Sequence, residues 1–266
     1  MKKLITLFGF YFLLAAPAWT SNSVNFLLAP PAFAAITVGT AASVNGTSSG
    51  GANTITLSCN AGAASNRVVF AAVGWGQDAP IGDITYAGQS MGAHIGEEGD
   101  AATSTIFVRL YKLVNPASGT NDLVLDFTGV GTNTPAFLAC IPMDGVDQTT
   151  PNDAHVAGDS SGSPMSTSTS SATGDMVLDV IMTRTSSASP TLVVGAGQTA
   201  RVLHDDETLA GSVRQFGMST EPGGATIAMG WTGANIGAWV QIVINVNAAA
   251  GGGGGGSTIR HRVIQQ

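Results

Sequence analysis

Two short runs have the G-x-S-x-G spacing of a nucleophile elbow: Gly88-Gln89-Ser90-Met91-Gly92 and Gly158-Asp159-Ser160-Ser161-Gly162. An elbow needs a strand before the serine and a helix after it, so that the hydroxyl stands exposed at the helix start. Ser90 leads instead into Ala93-His94-Ile95-Gly96-Glu97-Glu98-Gly99, and Ser160 into a tract of Ser and Thr. Neither continuation is helical, and a hairpin turn accounts better for Gly88 to Gly92. No nucleophile is assigned, and the chain reads more as a non-enzyme than as a hydrolase.

Two loops gather charge. One holds His94, Glu97, Glu98 and Asp100, the other His204, Asp205, Asp206 and Glu207. Paired carboxylates can do acid–base work or supply oxygen ligands to Ca²⁺. No EF-hand spacing is present, and a solvated acidic loop is the plainer use. Glu97, Glu98 and Asp100 are the candidate metal ligands; no cofactor other than Ca²⁺ is suggested. His155 and His261 stand alone.

Trp75, between two glycines, and Trp231 are the candidate ligand-binding residues, as stacking platforms for a sugar ring. Packing inside a sandwich is the competing use, and an aromatic content of 6% weighs against a broad glycan face. Cys59 and Cys140 are the two cysteines. In an exported chain they can form one disulfide; otherwise they are buried thiols, because both sit among apolar residues. Asn45-Gly46-Thr47 is a glycosylation sequon that matters only in a host able to use it.

The elements that must position these residues are strands. Thr54 to Ser58 alternates polar and apolar with period two, as a half-buried strand does. Val68 to Val73 is continuously apolar, which fits a strand buried on both faces. Similar segments follow at 106–111, 123–127, 176–182, 191–194, 199–203, 212–218, 226–231 and 238–246, divided by Gly, Pro, Asn and Asp. About a dozen strands with no long 3.6-residue period predict an all-β fold, an antiparallel two-sheet sandwich of jelly-roll kind. Ser160 to Thr173 is an extended edge or a mobile loop.

The ends differ from the body. Lys2 and Lys3, the apolar run Leu4 to Ala16, and Ala16-Pro17-Ala18 form a secretory leader; a second A-x-A lies at Ala32-Phe33-Ala34. Cleavage after 18 or after 34 is expected, with residues 1–34 as leader and N-terminal segment, 35–248 as sandwich, 249–256 as glycine-rich linker and 257–266 as tail. The apolar run is shorter than the roughly 20 residues a spanning helix needs, so no stable membrane span is expected after its removal. In the tail, Ile259, Arg260, Arg262, Val263 and Ile264 make a basic, β-prone strand on a hexaglycine tether. It is either a free end or a docking and assembly element.

Composition narrows the classes further. Of 266 residues only 10% are charged, against roughly 25% in an average protein, and the net charge is −7. Disorder driven by charge, coiled coil and an electrostatic nucleic-acid binder are excluded. With 35 glycines and 44% hydrophobic residues, the chain has a large core and a surface of hydroxyls and amides.

The runs Asp144-Gly145-Val146-Asp147-Gln148-Thr149-Thr150-Pro151, Gly195-Ala196-Gly197-Gln198-Thr199 and Ser219-Thr220-Glu221-Pro222-Gly223, with Trp239, resemble a group of uncharacterised β-sandwich proteins. These are of bacterial secreted and phage-associated type. The resemblance implies a jelly-roll-like sandwich in a surface, appendage or virion setting and carries no activity or site residues. The expectation is a non-catalytic structural or interaction protein, secreted or displayed on a cell surface or virion, that self-associates or docks on a surface. A carbohydrate-binding module is the alternative.

Overall fold

The computed structural model describes residues 35–47, 54–76, 81–101, 105–126, 135–185, 191–209 and 212–250. They form an all-β structure of several antiparallel sheets, without a helix and without a closed barrel. The leader, the hexaglycine tether and the tail residues Ile259, Arg260, Arg262, Val263 and Ile264 lie outside the described residues, as do the side chains of Asp205, Asp206 and Glu207.

Eighteen strands are present among the described residues, where about a dozen were expected. Several of the additional ones are only two to four residues long and fall between turn residues, where no periodicity can be read. The first ten are β1 (Thr37–Val38), β2 (Ala42–Thr47), β3 (Thr54–Asn60), β4 (Val68–Gly76), β5 (Ile84–Tyr86), β6 (Gln89–Ser90), β7 (Gly96–Gly99), β8 (Ile106–Val114), β9 (Thr120–Asp126) and β10 (Pro135–Asp144). Eight more follow: β11 (Val156–Ser160), β12 (Met165–Ser170), β13 (Met176–Thr185), β14 (Val193–Val194), β15 (Thr199–Leu209), β16 (Ser212–Pro222), β17 (Thr226–Thr232) and β18 (Ile236–Val246).

They pair into four sheets rather than two. A four-stranded sheet runs β3-β9-β5-β6, and a six-stranded sheet runs β1-β10-β4-β8-β7 with β2 also on β10. A five-stranded sheet runs β11-β18-β13-β16-β15, and a three-stranded sheet β12-β17-β14. One connectivity is thereby laid down twice. The path β2-β10-β4-β8-β7 of the first half returns as β11-β18-β13-β16-β15 in the second. The path β3-β9-β5 returns as β12-β17-β14.

The sheets stack in layers, and the apolar patterns explain the order. Phe70, Val108, Leu110, Phe137 and Ile141 of the six-stranded sheet meet Leu178, Val180, Phe216, Val240 and Ile242 of the five-stranded sheet in one core. The opposite face of the six-stranded sheet packs Val69, Ala71, Val73 and Leu138 against Ile55, Leu57, Ile84, Leu123 and Leu125 of the four-stranded sheet. On the far side, Ile181, Trp239 and Val243 meet Met165, Trp231 and Met229 of the three-stranded sheet. Both central sheets are thus covered on two faces, so β4 is buried at every residue while β3 alternates exposed and buried.

The two halves are fastened differently. In the first, Cys59 on β3 and Cys140 on β10 form a disulfide between the outer and central sheets. The second half has no cysteine. There the outer sheet is tied by a buried carboxylate, described below. The Ser/Thr tract yields β12, an edge strand with Ser166, Ser168 and Ser170 outward and Met165, Thr167 and Thr169 inward.

Candidate functional site

Chemistry-bearing side chains come together at the β7–β8 edge of the six-stranded sheet. Glu97 and Arg109 are cross-strand partners, which puts both on one face. Arg109 Nε donates to Glu97 Oε2 at 2.6 Å. His94 Nε2 lies 3.4 Å from that same carboxylate oxygen. The Arg109 guanidinium also sits over the Trp75 ring, 5.1 Å from its centroid, and Trp75 stacks on Phe107 at 5.3 Å. His94 meets the edge of Tyr111 at 6.1 Å.

The electrostatics follow from this packing. Burial alone would lower the Arg109 pKa, but hydrogen bonds to Glu97 and Tyr111 outweigh it and raise the net value. Burial raises the Tyr111 phenol. Glu98 is raised as well, chiefly by partial burial and then by the Asp159 carboxylate. The His94–Glu97–Arg109–Tyr111 cluster can therefore hold a charge network over an aromatic floor, but it presents no base aimed at a nucleophile.

The residues singled out by sequence are placed as follows. Glu97 is committed to Arg109, and Asp100 is buried, with its N–H bonded to Ile106 O at 3.1 Å. Glu97, Glu98 and Asp100 do not converge, and no three His, Cys, Asp or Glu side chains come together as a metal site among the described residues. Ser90 is on β6, donates to Asp83 Oδ1 at 2.9 Å, and follows the two-residue turn Ala87-Gly88, where φ is +52° and +77°. The positive φ at both turn residues is the hairpin geometry that glycine favours. Ser160 ends β11 opposite Trp239. Neither serine starts a helix.

Sugar-stacking by Trp75 and Trp231 is corrected by burial. Trp75 is 2% exposed and Trp231 1% exposed, so neither offers a face to a sugar ring. Each indole is large enough that covering it by the neighbouring sheet removes much apolar surface from water. Trp231 instead donates to Asp179, the centre of a buried polar network.

Asp179 lies on β13 between the five- and three-stranded sheets and is wholly buried. Its Oδ1 accepts from the Ser219 N–H at 2.9 Å and the Ser219 hydroxyl at 2.6 Å. Its Oδ2 accepts from Trp231 Nε1 at 2.6 Å and Gln241 Nε2 at 2.7 Å. Gln198 extends the network, donating to Ser219 Oγ at 2.7 Å and accepting from Gly230 N at 2.7 Å. Burial pushes the Asp179 carboxyl up to about 6, and the four hydrogen bonds pull against that rise. All four donors are neutral, so the group has contacts but no counter-charge.

No protein-family model, curated protein or solved structure matches this chain. The chemistry of the sites therefore rests on their own geometry.

Sequence reasoning missed Asp179, Arg109 and Tyr111. A signal was present for the first: one carboxylate inside the apolar run Met176-Val177-Leu178-Asp179-Val180-Ile181-Met182. A buried polar group in such a run needs partners. Its partners stand 40 to 62 residues away, so they cannot be read without the strand register.

A further small cleft of about 220 Å³ opens beside Asp144, between Gly39, Thr40, Asn60 and Gly62. One carboxylate oxygen of Asp144 is buried there without a hydrogen-bond partner.

Proposed function

We propose that this is a non-catalytic structural or interaction protein, exported and displayed on a cell surface, in a secreted assembly or on a phage particle. The observation that carries the reading is where the chemistry is spent. Asp179 with Trp231, and Gln241 with Met229 O, fasten sheet to sheet, Glu97 and Arg109 fasten strand to strand, and Ser90 closes a hairpin. Meanwhile the outward residues of β3 (Thr54, Thr56, Ser58) and β12 (Ser166, Ser168, Ser170) present hydroxyls on the outer sheets of both halves. A low-charge hydroxyl surface over a doubly covered core suits a displayed building block.

We read each half as a jelly-roll-like sandwich, the two joined through their larger sheets. The strand path β2-β10-β4-β8 beside β3-β9-β5-β6 supports that reading of the first half. In this account the leader directs export, and the basic tail after the glycine tether makes contacts between copies. The resemblance to secreted and phage-associated sandwiches points the same way. The sugar-binding alternative loses the two exposed indoles it relied on.

The test is the size of the exported protein in solution, by sedimentation velocity, with and without residues 251–266. Assembly of the full chain and its loss on truncation support the reading. An unchanged monomer in both removes tail-mediated assembly.

A further inference from the structure

Beyond residue 34, Lys112 is the one lysine in the sequence. It lies on β8 opposite Phe70 of β4, and period-two alternation puts it on the face of Ile106, Val108 and Leu110. Its stem therefore enters the layer between the two central sheets, where Phe70 and those three residues form part of the core. The residue is half-buried, and its Nζ donates to Asn152 Oδ1 at 2.6 Å. The ion pairs among the described residues are those of Glu97 with His94 and Arg109, so this amine meets an amide rather than a described carboxylate.

Asn152 lies in the connection between the halves and is pinned to the second. It forms a bridge with Val246 at the end of β18. On either side of it, Asn247 N donates to Pro151 O at 3.0 Å and Asp153 N donates to Asn245 O at 3.0 Å. Asn247 Nδ2 also donates to Thr150 O at 2.8 Å, and Asn152 Nδ2 donates to Asp153 O at 2.6 Å. The amide carbon is thus presented to Nζ by a fixed backbone on one side and a sheet strand on the other. Partial burial holds the Lys112 amine below its usual range, which raises the uncharged fraction. A desolvated, uncharged lysine is a nucleophile. Holding two reacting groups in contact gives effective molarities that reach about 10⁵–10⁸ M, and a cross-link needs to form only once in each molecule.

We propose that Lys112 and Asn152 are the site of a self-formed isopeptide bond that joins β8 to the segment connecting the two halves. The Nζ lone pair attacks Asn152 Cγ, the Cγ–Nδ2 bond breaks, and one proton passes from Nζ to the departing nitrogen, which leaves as ammonia. The product is a neutral secondary amide, and no oxidant, cofactor or second substrate enters. With Cys59–Cys140 inside the first half, this bond gives the chain a second covalent link, placed where the halves meet. It is independent of the assembly reading above, since it needs neither the tail nor a second copy.

Mass spectrometry of the full exported chain tests it. The intact mass is expected to fall below that of the disulfide-bonded sequence by one ammonia, and proteolysis to release a single product in which Lys112 and Asn152 are joined. Lys112→Arg and Asn152→Ala are each expected to have the full mass of their own sequences. Amine-selective acylation of the unfolded chain gives a second readout, since Lys112 is the one side-chain amine beyond residue 34. Lys112 is expected to stay unlabelled in the wild type and to be labelled in Asn152→Ala. Should a variant fail to fold, the wild-type mass and labelling decide alone. A wild-type chain of full mass with Lys112 acylated means a hydrogen bond only and overturns the proposal, as does an ammonia loss that persists in Lys112→Arg.

Discussion

Trp231 donates its indole N–H to Asp179 at 2.6 Å, and both side chains are buried. This bond joins the outer three-stranded sheet to the central five-stranded one, as the Cys59–Cys140 disulfide joins the corresponding sheets of the first half. Two chemically unlike fasteners hold two halves of the same connectivity.

Replacing Asp179 by Ala removes the acceptor from four donors at once. A buried donor left without a partner costs about 1–3 kcal/mol. Asp179→Ala is expected to lose at least about 3 kcal/mol in denaturant unfolding at pH 4.5, below the pH at which the contribution of the carboxyl is lost. Trp231→Phe, which keeps most of the apolar body, is expected to lose less. Equal stability of Asp179→Ala and wild type would mean that the network does not fasten the sheets.

Asp179 also gives the fold a pH dependence. Its carboxyl is raised in the folded state from the ordinary 3.8 to about 6, so the folded state holds that proton more tightly than the unfolded state. Its stabilising contribution is complete below about pH 4 and is lost as pH rises through about 6. A shift of this size amounts to roughly 3 kcal/mol. Glu98, also raised, acts with the same sign, whereas Asp147, lowered by the Thr150 and Thr149 N–H groups, acts with the opposite one. Thermal unfolding at pH 4.5 and 7.5 is expected to give the higher melting temperature at pH 4.5. Asp179→Asn is expected to reduce the difference sharply.

Opening the Cys59–Cys140 bond frees a loop closed across 81 residues. The chain-entropy model puts that constraint at roughly 4–5 kcal/mol. Cys59→Ser/Cys140→Ser is expected to unfold at distinctly lower denaturant than the oxidised wild type, with the reduced wild type close to the double variant. An unchanged midpoint in the double variant would contradict this.

The close approach at Gly217 gives a sharper packing test. A Cβ there would stand 2.7 Å from the Trp231 ring, which has no room to retreat between two sheets. Overpacking of a core typically costs about 1–3 kcal/mol. Gly217→Ala is expected to fall in that range and to alter Trp231 fluorescence. Gly88→Ala, with open space around the position, is expected to act through backbone strain alone at its φ of +77°.

The strands were legible where they alternate or run apolar. Thr54 to Ser58 is half-buried and Val68 to Val73 is buried on both faces, as their residue types indicate. The number of layers was not read, although the signal existed. A continuously apolar strand requires cover on both faces; β4 is of that kind, and so is the 176–182 run of β13 apart from Asp179. The repeated connectivity also left a trace in Ala87-Gly88-Gln89-Ser90 and Ala196-Gly197-Gln198-Thr199, each with its glycine at positive φ. The site was less legible for a geometric reason. Glu97 meets Arg109 and Asp179 meets Trp231 only through strand register and sheet stacking, which composition and local spacing do not encode.

Negative-stain imaging of the native protein purified from its source, with its intact mass, tests the central claim most directly. A displayed structural protein predicts ordered particles, filaments or surface arrays built from a leader-cleaved chain that carries one disulfide. Uniform single monomers at high concentration, from cells in which the leader is retained, would contradict it.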